Sequence, residues 1–569
     1  MKQIKITINS KEILAEQGKT ILEIAKENKI KIPTLCFHPD LKPGASCRIC
    51  LVQIKGEKNF CTACSTEARE GMEIFTNTFE IEKARKINLE LLFAQHKEEC
   101  KDCVFEYNCK FLKLADKYDV KISRFADRKT KFPVYQFGPA IVFDSAKCID
   151  CRNCVEICKQ KESGFLDIEE KNGFFEVIPT KNKKIDCIYC GQCIIHCPVG
   201  AFEAVGEFED IEKPLKAQNK FVVFQFAPAI RSSIGEEFGL EPGLVVTGKI
   251  VAAIRKLGAN MVFDTSVGAD FTTFEEAKEM IERHKTKKGL PIFSSCCPSW
   301  VKFIEFFHPE YIANLATTRS PQVILGGMIK TYLLKSKNIN PKNIVVVSVM
   351  PCTSKKYEIQ RSELKINGVK PVDYVLTTRE LAYLLIKNKI DLKNIEPEQA
   401  DNPFGEPSGA GVIYGASGGV AESVLRTVYE KITGQKLQDI EFREIRGEKG
   451  IKTASFKIKG EEIRIAVVDG IDNAKKVLNQ IKENPNIYHC VEVMACPGGC
   501  IGGGGQPLPS DKKIRESRAK ALYEIDKQKQ IRAAHENPAV KEMYKKYLTD
   551  EKTIRKICHT RYYKKKREN

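Results

Sequence analysis

The sequence predicts a multidomain chain in which small cysteine-rich domains precede a large α/β domain with parallel sheets and a loop-bound metal cluster. The chain has 569 residues, 42% of them apolar, which is enough for more than one hydrophobic core. It contains 23 cysteines, most of them before residue 200. From residue 221 on, apolar runs at 221–226, 344–349, 463–468 and 491–494 alternate with helical segments, a pattern typical of parallel strands.

Composition excludes several classes of protein. The formal charge is +18, but the basic residues are scattered and no nucleic-acid motif occurs, so we expect no nucleic-acid binding. The sequence has no apolar run of roughly 20 residues and no signal peptide, so we expect no membrane insertion and a cytoplasmic location. In a reducing compartment, clustered cysteines act as metal ligands rather than disulfides. The charged end at 562–569 is expected to be solvated.

Residues 1–80 predict a β-grasp domain. Alternating Ile4, Ile6 and Ile8 indicate a half-buried strand, and Thr20 with Glu23 forms a capping box that starts a helix. A cysteine-rich loop follows, with Cys36, Cys47, Cys50 and Cys64. Its spacing is similar to a plant-type [2Fe–2S] loop, although the first gap is longer than usual. Cys61 is a rival for the fourth ligand position, and zinc is an alternative metal.

Residues 81–135 predict a small helical domain around one His/Cys cluster. Its candidate ligands are His96, Cys100, Cys103 and Cys109. The spacing suits either zinc or a [4Fe–4S] cluster with one histidine ligand. Neighbouring cluster motifs favour iron, because a relay of redox centres would otherwise be interrupted.

Residues 136–208 predict a ferredoxin-like α+β domain with two [4Fe–4S] clusters. One spacing occurs twice, in Cys148, Cys151, Cys154 and Cys158 and again in Cys187, Cys190, Cys193 and Cys197. In such repeats three thiolates bind one cube and the fourth cysteine binds the other. We therefore expect Cys197 to complete the first site and Cys158 the second. Residues 205–220 are polar and charged and predict a linker.

Residues 221–510 carry four candidate ligands on three distant loops, Cys297, Cys352, Cys496 and Cys500. Two of them, Cys352 and Cys496, closely follow apolar runs, at the strand ends where open α/β sheets form their sites. Zinc fingers and ferredoxins keep their ligands local. Ligands this scattered need a prefolded scaffold, which indicates a catalytic metal centre rather than a structural one.

Together these motifs resemble the [FeFe]-hydrogenases, in the form with four accessory clusters, over nearly the whole chain. SSCCP at 294–298, MPCTSKK at 350–356 and EVMACPGGC at 492–500 match the family's signature loops, with Ser294 in place of the commoner threonine. The resemblance implies an H-cluster, a [4Fe–4S] cube linked through Cys500 to a di-iron subsite with CO, cyanide and azadithiolate. Other positions that match the surroundings of this subsite are Ala227, Pro228, Phe293, Pro321, Gln322, Met350, Lys355, Tyr414 and Met494.

The resemblance also implies a proton path. Cys296 is surplus to the four ligands and matches the family's proton-donating thiol. Glu276, Glu279 and Arg283 share one helical face and match its outward path. Where the family often has a serine between the two glutamates this chain has Ala316, so water, Thr317 or Thr318 must bridge. A second family serine, a donor to cyanide, is replaced by Ala229.

The implied function is reversible oxidation of H2 to protons and electrons, with ferredoxin as electron carrier and maturation proteins that install the subsite. Residues 511–569 are similar to a small subunit that some members carry as a separate chain. One alternative is the catalytic subunit of an NAD(P)-linked, electron-bifurcating complex with separate flavin- and NAD-binding subunits. A hydrogen sensor is disfavoured by Cys296. The first 205 residues also resemble the N-terminal part of the largest subunit of respiratory NADH dehydrogenase, and the rest distantly resembles iron–sulfur assembly proteins. Those proteins, however, lack the complete set of loops found here.

Overall fold

The computed structural model describes residues 2–96, 100, 103–104, 109–121, 125, 132–171, 174–340, 343–437 and 439–568. Within these ranges, no helix combines the length and the apolar character that crossing a bilayer requires. Between His96 and Cys109, most of the predicted loop lies outside the described residues.

A five-stranded sheet with the order β2-β1-β5-β3-β4 forms the N-terminal part. The capping box predicted at Thr20 is confirmed, since Thr20 accepts a hydrogen bond from the Glu23 amide and Glu23 accepts one in return. The helix it starts buries Ile21, Leu22 and Ile24 against the sheet. The elements are β1 (Gln3–Ile8), β2 (Lys11–Glu16), α1 (Ile21–Glu27), β3 (Leu51–Ile54), β4 (Cys61–Thr62) and β5 (Glu73–Phe75).

Two helices and a ferredoxin-like α+β unit follow. The unit has a three-stranded antiparallel sheet, β10-β7-β6, and a separate hairpin of β8 and β9. The elements are α2 (Phe79–Phe93), α3 (Lys110–Lys117), β6 (Val134–Phe137), β7 (Ile141–Asp144), α4 (Asn153–Gln160), β8 (Leu166–Lys171), β9 (Phe174–Pro179), α5 (Gln192–Ile195) and β10 (Phe202–Ala204). The segment predicted as a linker instead contains α6 (Phe208–Lys216), because Ile211 is fully buried in the core of the next domain.

Two four-stranded sheets form the α/β part. The first, β12-β11-β14-β15, is entirely parallel, as expected. The second, β13-β18-β17-β16, is parallel except for β16, so the expectation of parallel sheets throughout is wrong here. β16 and β17 form a hairpin in which Lys459 and Gly460 have positive φ angles of 49° and 85°, the conformation of a tight two-residue turn.

The strands of these sheets are β11 (Phe221–Phe226), β12 (Met261–Asp264), β13 (Ile292–Phe293), β14 (Ile344–Met350), β15 (Tyr374–Thr377), β16 (Ile451–Ile458), β17 (Glu461–Asp469) and β18 (Cys490–Met494). The helices are α7 (Thr247–Lys256), α8 (Ser266–Thr286), α9 (Pro298–Phe307), α10 (Pro321–Met328), α11 (Leu334–Lys337), α12 (Ser354–Glu358), α13 (Thr378–Lys387), α14 (Gly409–Val412), α15 (Gly419–Thr433) and α16 (Ile471–Glu483). Strands β11, β14 and β18 end at the site described below.

Three C-terminal helices pack onto the α/β part, α17 (Lys512–Gln528), α18 (Pro538–Lys546) and α19 (Glu551–Cys558). Leu522 of α17 lies in a buried cluster with Ala229 and Val412, which joins this segment to the site. The end of the chain is only partly solvated: Tyr563, Lys564, Lys566 and Glu568 are exposed, whereas Tyr562, Lys565 and Arg567 are partly covered. Tyr562 is hydrogen-bonded to Ser295, and Glu568 accepts a hydrogen bond from Lys302 Nζ at 2.9 Å. These contacts hold the tail against the domain.

Candidate active site and metal centres

The four cysteines on distant loops line one cavity between the ends of the two sheets. Cys352 and Cys496 each follow a strand, β14 and β18, and Cys297 caps α9. Other predicted positions that line the cavity are Ala227, Pro228, Cys296, Pro321, Gln322, Met350, Lys355, Tyr414 and Met494. Phe293 does not line it, because its side chain is fully buried against Trp300 and Tyr311.

Two glycines allow the loops to meet. A Cβ atom on Gly499, whose φ is 91°, would lie 2.6 Å from the Ser417 amide nitrogen. A Cβ on Gly503 would lie 2.2 Å from the carbonyl oxygen of Pro351. Only glycine permits this approach of the loop that carries Cys500 to the loop that carries Cys352. The glycines therefore pack backbone against backbone around the cavity.

The chemistry of the donor set fits a metal cluster. Burial, and then the neighbouring Cys352, raise the pKa of Cys297 to about 11. Burial and the same neighbour raise the pKa of Cys496 and of Cys500 as well. Buried thiols this close repel one another as thiolates, so they lose their protons in exchange for a cation. Four such thiols on one cavity are a suitable set for a [4Fe–4S] cube.

Lys355 is held at the cavity by a residue that sequence reasoning missed. Its Nζ donates to Glu358 at 2.9 Å and to the carbonyl oxygen of Cys296 at 3.0 Å. Glu358 also accepts from Gln322 at 2.6 Å and from Ser320 at 2.9 Å. Although burial lowers it, contact with Glu358 leaves the pKa of Lys355 raised, so this lysine is charged. The i, i+3 spacing of Lys355 and Glu358 was the signal in the sequence.

The fifth cysteine, Cys296, lies on the same cavity. Burial raises the pKa of its thiol well above the ordinary value, and the charge of Glu276 raises it further. Glu276 is 3% exposed, and burial, with a contribution from Glu279, raises its pKa to about 8. The neutral thiol of Cys296 thus lies near the carboxyl group of Glu276, whose pKa is close to neutral pH.

The outer part of the predicted proton path lies on α8. Glu279 accepts hydrogen bonds from Arg283 at 2.6 Å and from the hydroxyl and amide of Thr317, both at 2.9 Å. Ala316 is fully buried and offers no hydroxyl. Of the two threonines considered, the structure brings Thr317 to Glu279.

Glu276 should make stability fall with rising pH. Its pKa is about 8 in the folded protein against an ordinary 4.5, so the folded state keeps a proton that the unfolded state loses. The stabilisation from this proton is complete below pH 4.5 and is lost as pH rises through 8, at about 1.4 kcal/mol per pH unit between the two pKa values.

Glu276→Gln should remove this pH dependence and raise the melting temperature above wild type near pH 8, as thermal denaturation between pH 5 and 9 would measure. Glu282→Gln, an exposed glutamate on the same helix, is the control. Parallel pH curves for wild type and Glu276→Gln would contradict the assignment.

The cysteine loop of the N-terminal domain gathers four thiols. Cys36 and Cys47 form one hydrogen-bonded pair, Cys50 and Cys64 form another, and all are buried. Cys61 instead lies on β4 and donates to Glu57 at 3.3 Å. The structure therefore groups Cys64 with the other three thiols.

This geometry predicts different outcomes for two neighbouring cysteines. Cys64→Ser should abolish or strongly alter the electron paramagnetic resonance signal of a reduced [2Fe–2S] cluster, because one thiolate ligand is lost. Cys61→Ser, the matched control, should leave the signal unchanged. The reverse outcome, loss with Cys61→Ser and retention with Cys64→Ser, would show that the fourth ligand is Cys61.

One ring nitrogen of His96 is held by the backbone. Its Nδ1 lies 2.8 Å from the carbonyl oxygen of Lys147, which places the proton on Nδ1 and the lone pair on Nε2. Cys109 caps α3, and Cys103 donates to Glu203 at 3.6 Å. This hydrogen-bonding pattern suits zinc or iron equally, because both take an imidazole nitrogen.

The ferredoxin-like unit brings its cysteines together across the repeat. A cavity of about 380 Å³ is lined by Cys158, Cys187, Cys190 and Cys193. Next to it, burial and the neighbouring thiols of Cys197 and Cys148 raise the pKa of Cys151. The fourth cysteine of each repeat therefore lies with the first three of the other.

Direct contacts connect these groups to the main cavity. Thr353 Oγ1 donates to the Tyr189 carbonyl at 2.8 Å, and Gln192 Nε2 donates to that of Gly502 at 3.1 Å. On the opposite side, Asn153 Nδ2 donates to the carbonyl of Cys36 at 2.9 Å. The cysteine sites thus form a continuous series through the protein.

The fold and the site together define an iron–sulfur oxidoreductase with a buried catalytic cavity. Four family models match the chain: iron only hydrogenase large subunit, C-terminal domain, over residues 220–504; 2Fe-2S iron-sulfur cluster binding domain over 1–78; 4Fe-4S dicluster domain over 147–201; and iron hydrogenase small subunit over 512–565.

Relatives that match the chain over nearly its full length are also hydrogenases. The chain is 38% identical to NADP-reducing hydrogenase subunit HndD of Solidesulfovibrio fructosivorans, over 100% of both chains, and 38% identical to iron hydrogenase 1 of Clostridium pasteurianum, over 98% of this chain and 100% of the relative. A solved [FeFe]-hydrogenase from Chlamydomonas reinhardtii is 35% identical with a TM-score of 0.57, covering 63% of this chain and 98% of that one. The chain belongs to the [FeFe]-hydrogenase family and is an oxidoreductase that acts on hydrogen.

Proposed function

We propose that the chain oxidises H2 reversibly to protons and electrons at the cavity lined by Cys297, Cys352, Cys496 and Cys500, and that Cys296 exchanges the proton there. The observation that carries this proposal is the fifth thiol. Cys296 lines the same cavity as the four ligand candidates, keeps its proton because it is buried, and lies close enough to Glu276 to feel the charge of its carboxyl group. A positioned acid next to a base is what heterolytic cleavage of H2 requires.

When bound, the H-cluster supplies the redox chemistry of H2 cleavage, and the chain binds it, orients it and moves the proton. The four thiolates would hold the [4Fe–4S] cube, and Cys500 would also hold the di-iron subsite. Lys355 presents a positive charge suited to an anionic cyanide ligand, and Glu358 fixes its direction. The apolar side chains on the cavity keep water out, which strengthens these interactions. They are Ala227, Pro228, Pro321, Met350 and Met494.

Protons pass from Cys296 to Glu276 and then to Glu279 in this proposal. Glu276 has a pKa near 8 and exchanges its proton readily at neutral pH. Glu279 lies one turn further along α8 and lines an open pocket at the surface. Arg283 holds the Glu279 carboxylate in place at 2.6 Å.

The accessory clusters, when bound, supply one-electron redox sites between the cavity and the surface. We propose three of the [4Fe–4S] type, one of them ligated by His96, Cys100, Cys103 and Cys109, and one [2Fe–2S] cluster. The contacts at Thr353 and Gln192 hold the second ferredoxin-like site against the cavity, and the contact of Asn153 with Cys36 holds the first against the [2Fe–2S] loop. Such contiguity supports electron transfer in either direction.

A ferredoxin is the proposed electron carrier in the cytoplasm, with maturation proteins installing the di-iron subsite. The full-length match to a subunit of an NADP-reducing hydrogenase supports a second candidate, the catalytic subunit of an NAD(P)-linked complex with flavin-binding partners. Hydrogen turnover by the matured chain, assayed with ferredoxin alone and with NADH or NADPH, tests both. Turnover with ferredoxin alone favours the first candidate. Dependence on copurifying flavoprotein subunits favours the second. Matured protein without infrared CO and cyanide bands would contradict both.

A further inference from the structure

At the outward end of the proton path, Arg283 is fully engaged in hydrogen bonds. Its guanidinium is bound to Glu279 and to four backbone carbonyl groups, those of Gly289, Ala313, Asn314 and Leu315. A guanidinium does not lose its proton in proteins. Arg283 therefore positions Glu279 but does not carry protons away from it.

A hydrogen-bonded chain leaves Glu279 in another direction. The Thr317 hydroxyl donates to Glu279 Oε2 at 2.9 Å and lies 2.9 Å from His559 Nδ1. On the other side of the imidazole, His559 Nε2 lies 3.1 Å from Glu275 Oε2. Two side chains, Thr317 and His559, thus connect two carboxyl groups of α8, and His559 comes from the C-terminal segment.

We propose that Thr317 and His559 form the outer proton relay of this enzyme, carrying protons between Glu279 and the solvent-filled pocket beside Glu275. The inference rests on the proposed function. It assigns to the C-terminal segment a direct part in proton transfer.

The hydrogen bonds permit two states that differ by the net transfer of one proton from His559 to Glu279. In the first, His559 is protonated on both nitrogens, donates through Nδ1 to Thr317 and through Nε2 to Glu275, and Thr317 donates to an ionised Glu279. In the second, the Nδ1 proton has moved to the Thr317 oxygen and the Thr317 hydroxyl proton has moved to Glu279. One N–H and one O–H bond break, two O–H bonds form, and one positive charge on His559 and one negative charge on Glu279 are neutralised.

Glu275 is suited to anchor the histidine at the surface. Although burial raises it, hydrogen bonds from His559, Lys278 and Tyr544 lower the pKa of Glu275 to about 2, so it remains a carboxylate. Its charged carboxylate is 3.1 Å from His559 Nε2 and accepts the proton on that nitrogen in a hydrogen bond. Glu275, Glu279, Thr317 and His559 all line the same open pocket of about 1440 Å³, where water can exchange protons with the relay.

The backbone holds His559 in register. The Arg319 amide donates to the Cys558 carbonyl at 2.7 Å, and the Thr560 amide donates to the Thr317 carbonyl at 2.8 Å. The Arg319 side chain donates to the His559 carbonyl at 2.7 Å. This strand-like pairing keeps the imidazole opposite Thr317 without using the ring, so removal of the ring leaves the pairing intact.

Chemical rescue tests the relay. His559→Ala in the matured full chain should lower H2 turnover on the order of tenfold, and imidazole in the buffer should restore it, because the open pocket admits the free base.

Thr317→Val should show a similar loss of turnover, and Thr317→Ser should keep the wild-type rate because it retains the hydroxyl group. The double variant Thr317→Val with His559→Ala should be no slower than either single variant, since both lie on one path. His308→Ala, at a partly exposed histidine paired with Glu310, is the control and should turn over like wild type.

A measurement independent of turnover completes the test. In the full chain before maturation, infrared spectroscopy should show slower hydrogen–deuterium exchange of the protonated Glu276 carboxyl group in His559→Ala and in Thr317→Val. Wild-type rates and exchange in all variants would overturn the relay. A loss that imidazole does not restore, or effects of the two substitutions that add, would make these contacts structural and would also overturn it. A wild-type matured chain without H2 turnover would instead contradict the proposed function.

Discussion

Cys296→Ala should lower hydrogen turnover by about 10³-fold or more, while the bound cluster remains assembled. The thiol is the group that holds a proton at the cavity, and loss of a positioned acid or base typically costs about 10²–10⁴ in rate. Alanine occupies less volume than cysteine, so cluster binding by the four other thiols is preserved. Turnover with a reduced dye, together with infrared CO and cyanide bands of the same sample, measures both properties.

The matched control for Cys296 is Cys490→Ala. Cys490 is also a buried thiol, 5% exposed on β18, but it does not line the cavity. This variant should keep near wild-type turnover. Cys296→Ser retains an ionisable proton on a poorer acid and should fall between wild type and Cys296→Ala. Near-normal turnover in Cys296→Ala would remove this residue from the proton path.

Cys500→Ser should abolish turnover through loss of the di-iron subsite. Cys500 follows the Gly498–Gly499 turn, which presses its loop against Ser417, so its side chain is delivered to the cavity at one position. A serine hydroxyl is a poor substitute for a thiolate that bridges soft metal ions. Cys297, Cys352 and Cys496 would still retain a cube. We therefore expect the CO and cyanide bands to disappear while Mössbauer signals of a [4Fe–4S] cluster persist.

The same Cys490 position provides the control here, as Cys490→Ser, which should keep both sets of signals. If Cys500→Ser shows normal CO and cyanide bands together with normal turnover, Cys500 is not the bridging ligand. If it loses both the bands and the cube, the residue is needed for the whole site, and the assignment of separate roles to the four thiols fails.

Most of the fold and of the cluster-binding motifs could be predicted because they depend on short-range spacing. The capping box at Thr20 and the strands that precede Cys352 and Cys496 were visible as local patterns, and the structure contains them. β16 and its antiparallel pairing were not predicted, because its sequence, IKTASFKI, alternates buried and exposed residues and is not one of the continuous apolar runs from which the parallel strands were identified.

Errors and omissions arise where residues far apart in the chain meet. Glu358 orients both Lys355 and Gln322, although only its pairing with Lys355 is local. Phe293 fits a signature loop, yet it packs into the core rather than onto the cavity. The C-terminal tail was expected to be solvated, and four of its residues are exposed, but Tyr562 is partly buried against the domain and Glu568 pairs with Lys302.

The sequence by itself determined the α/β class, the cysteine spacings and the family. All three can be read from the apolar runs and from the order of the cysteine motifs along the chain. Only the tertiary structure decided that Cys64 rather than Cys61 joins the other three thiols of its loop, that Thr317 contacts Glu279, and that His559 continues this chain to the pocket. The physical reason is that Thr317 and His559 are separated by 242 residues. Their hydrogen bond exists only because the chain returns to pair beside residues 317–319.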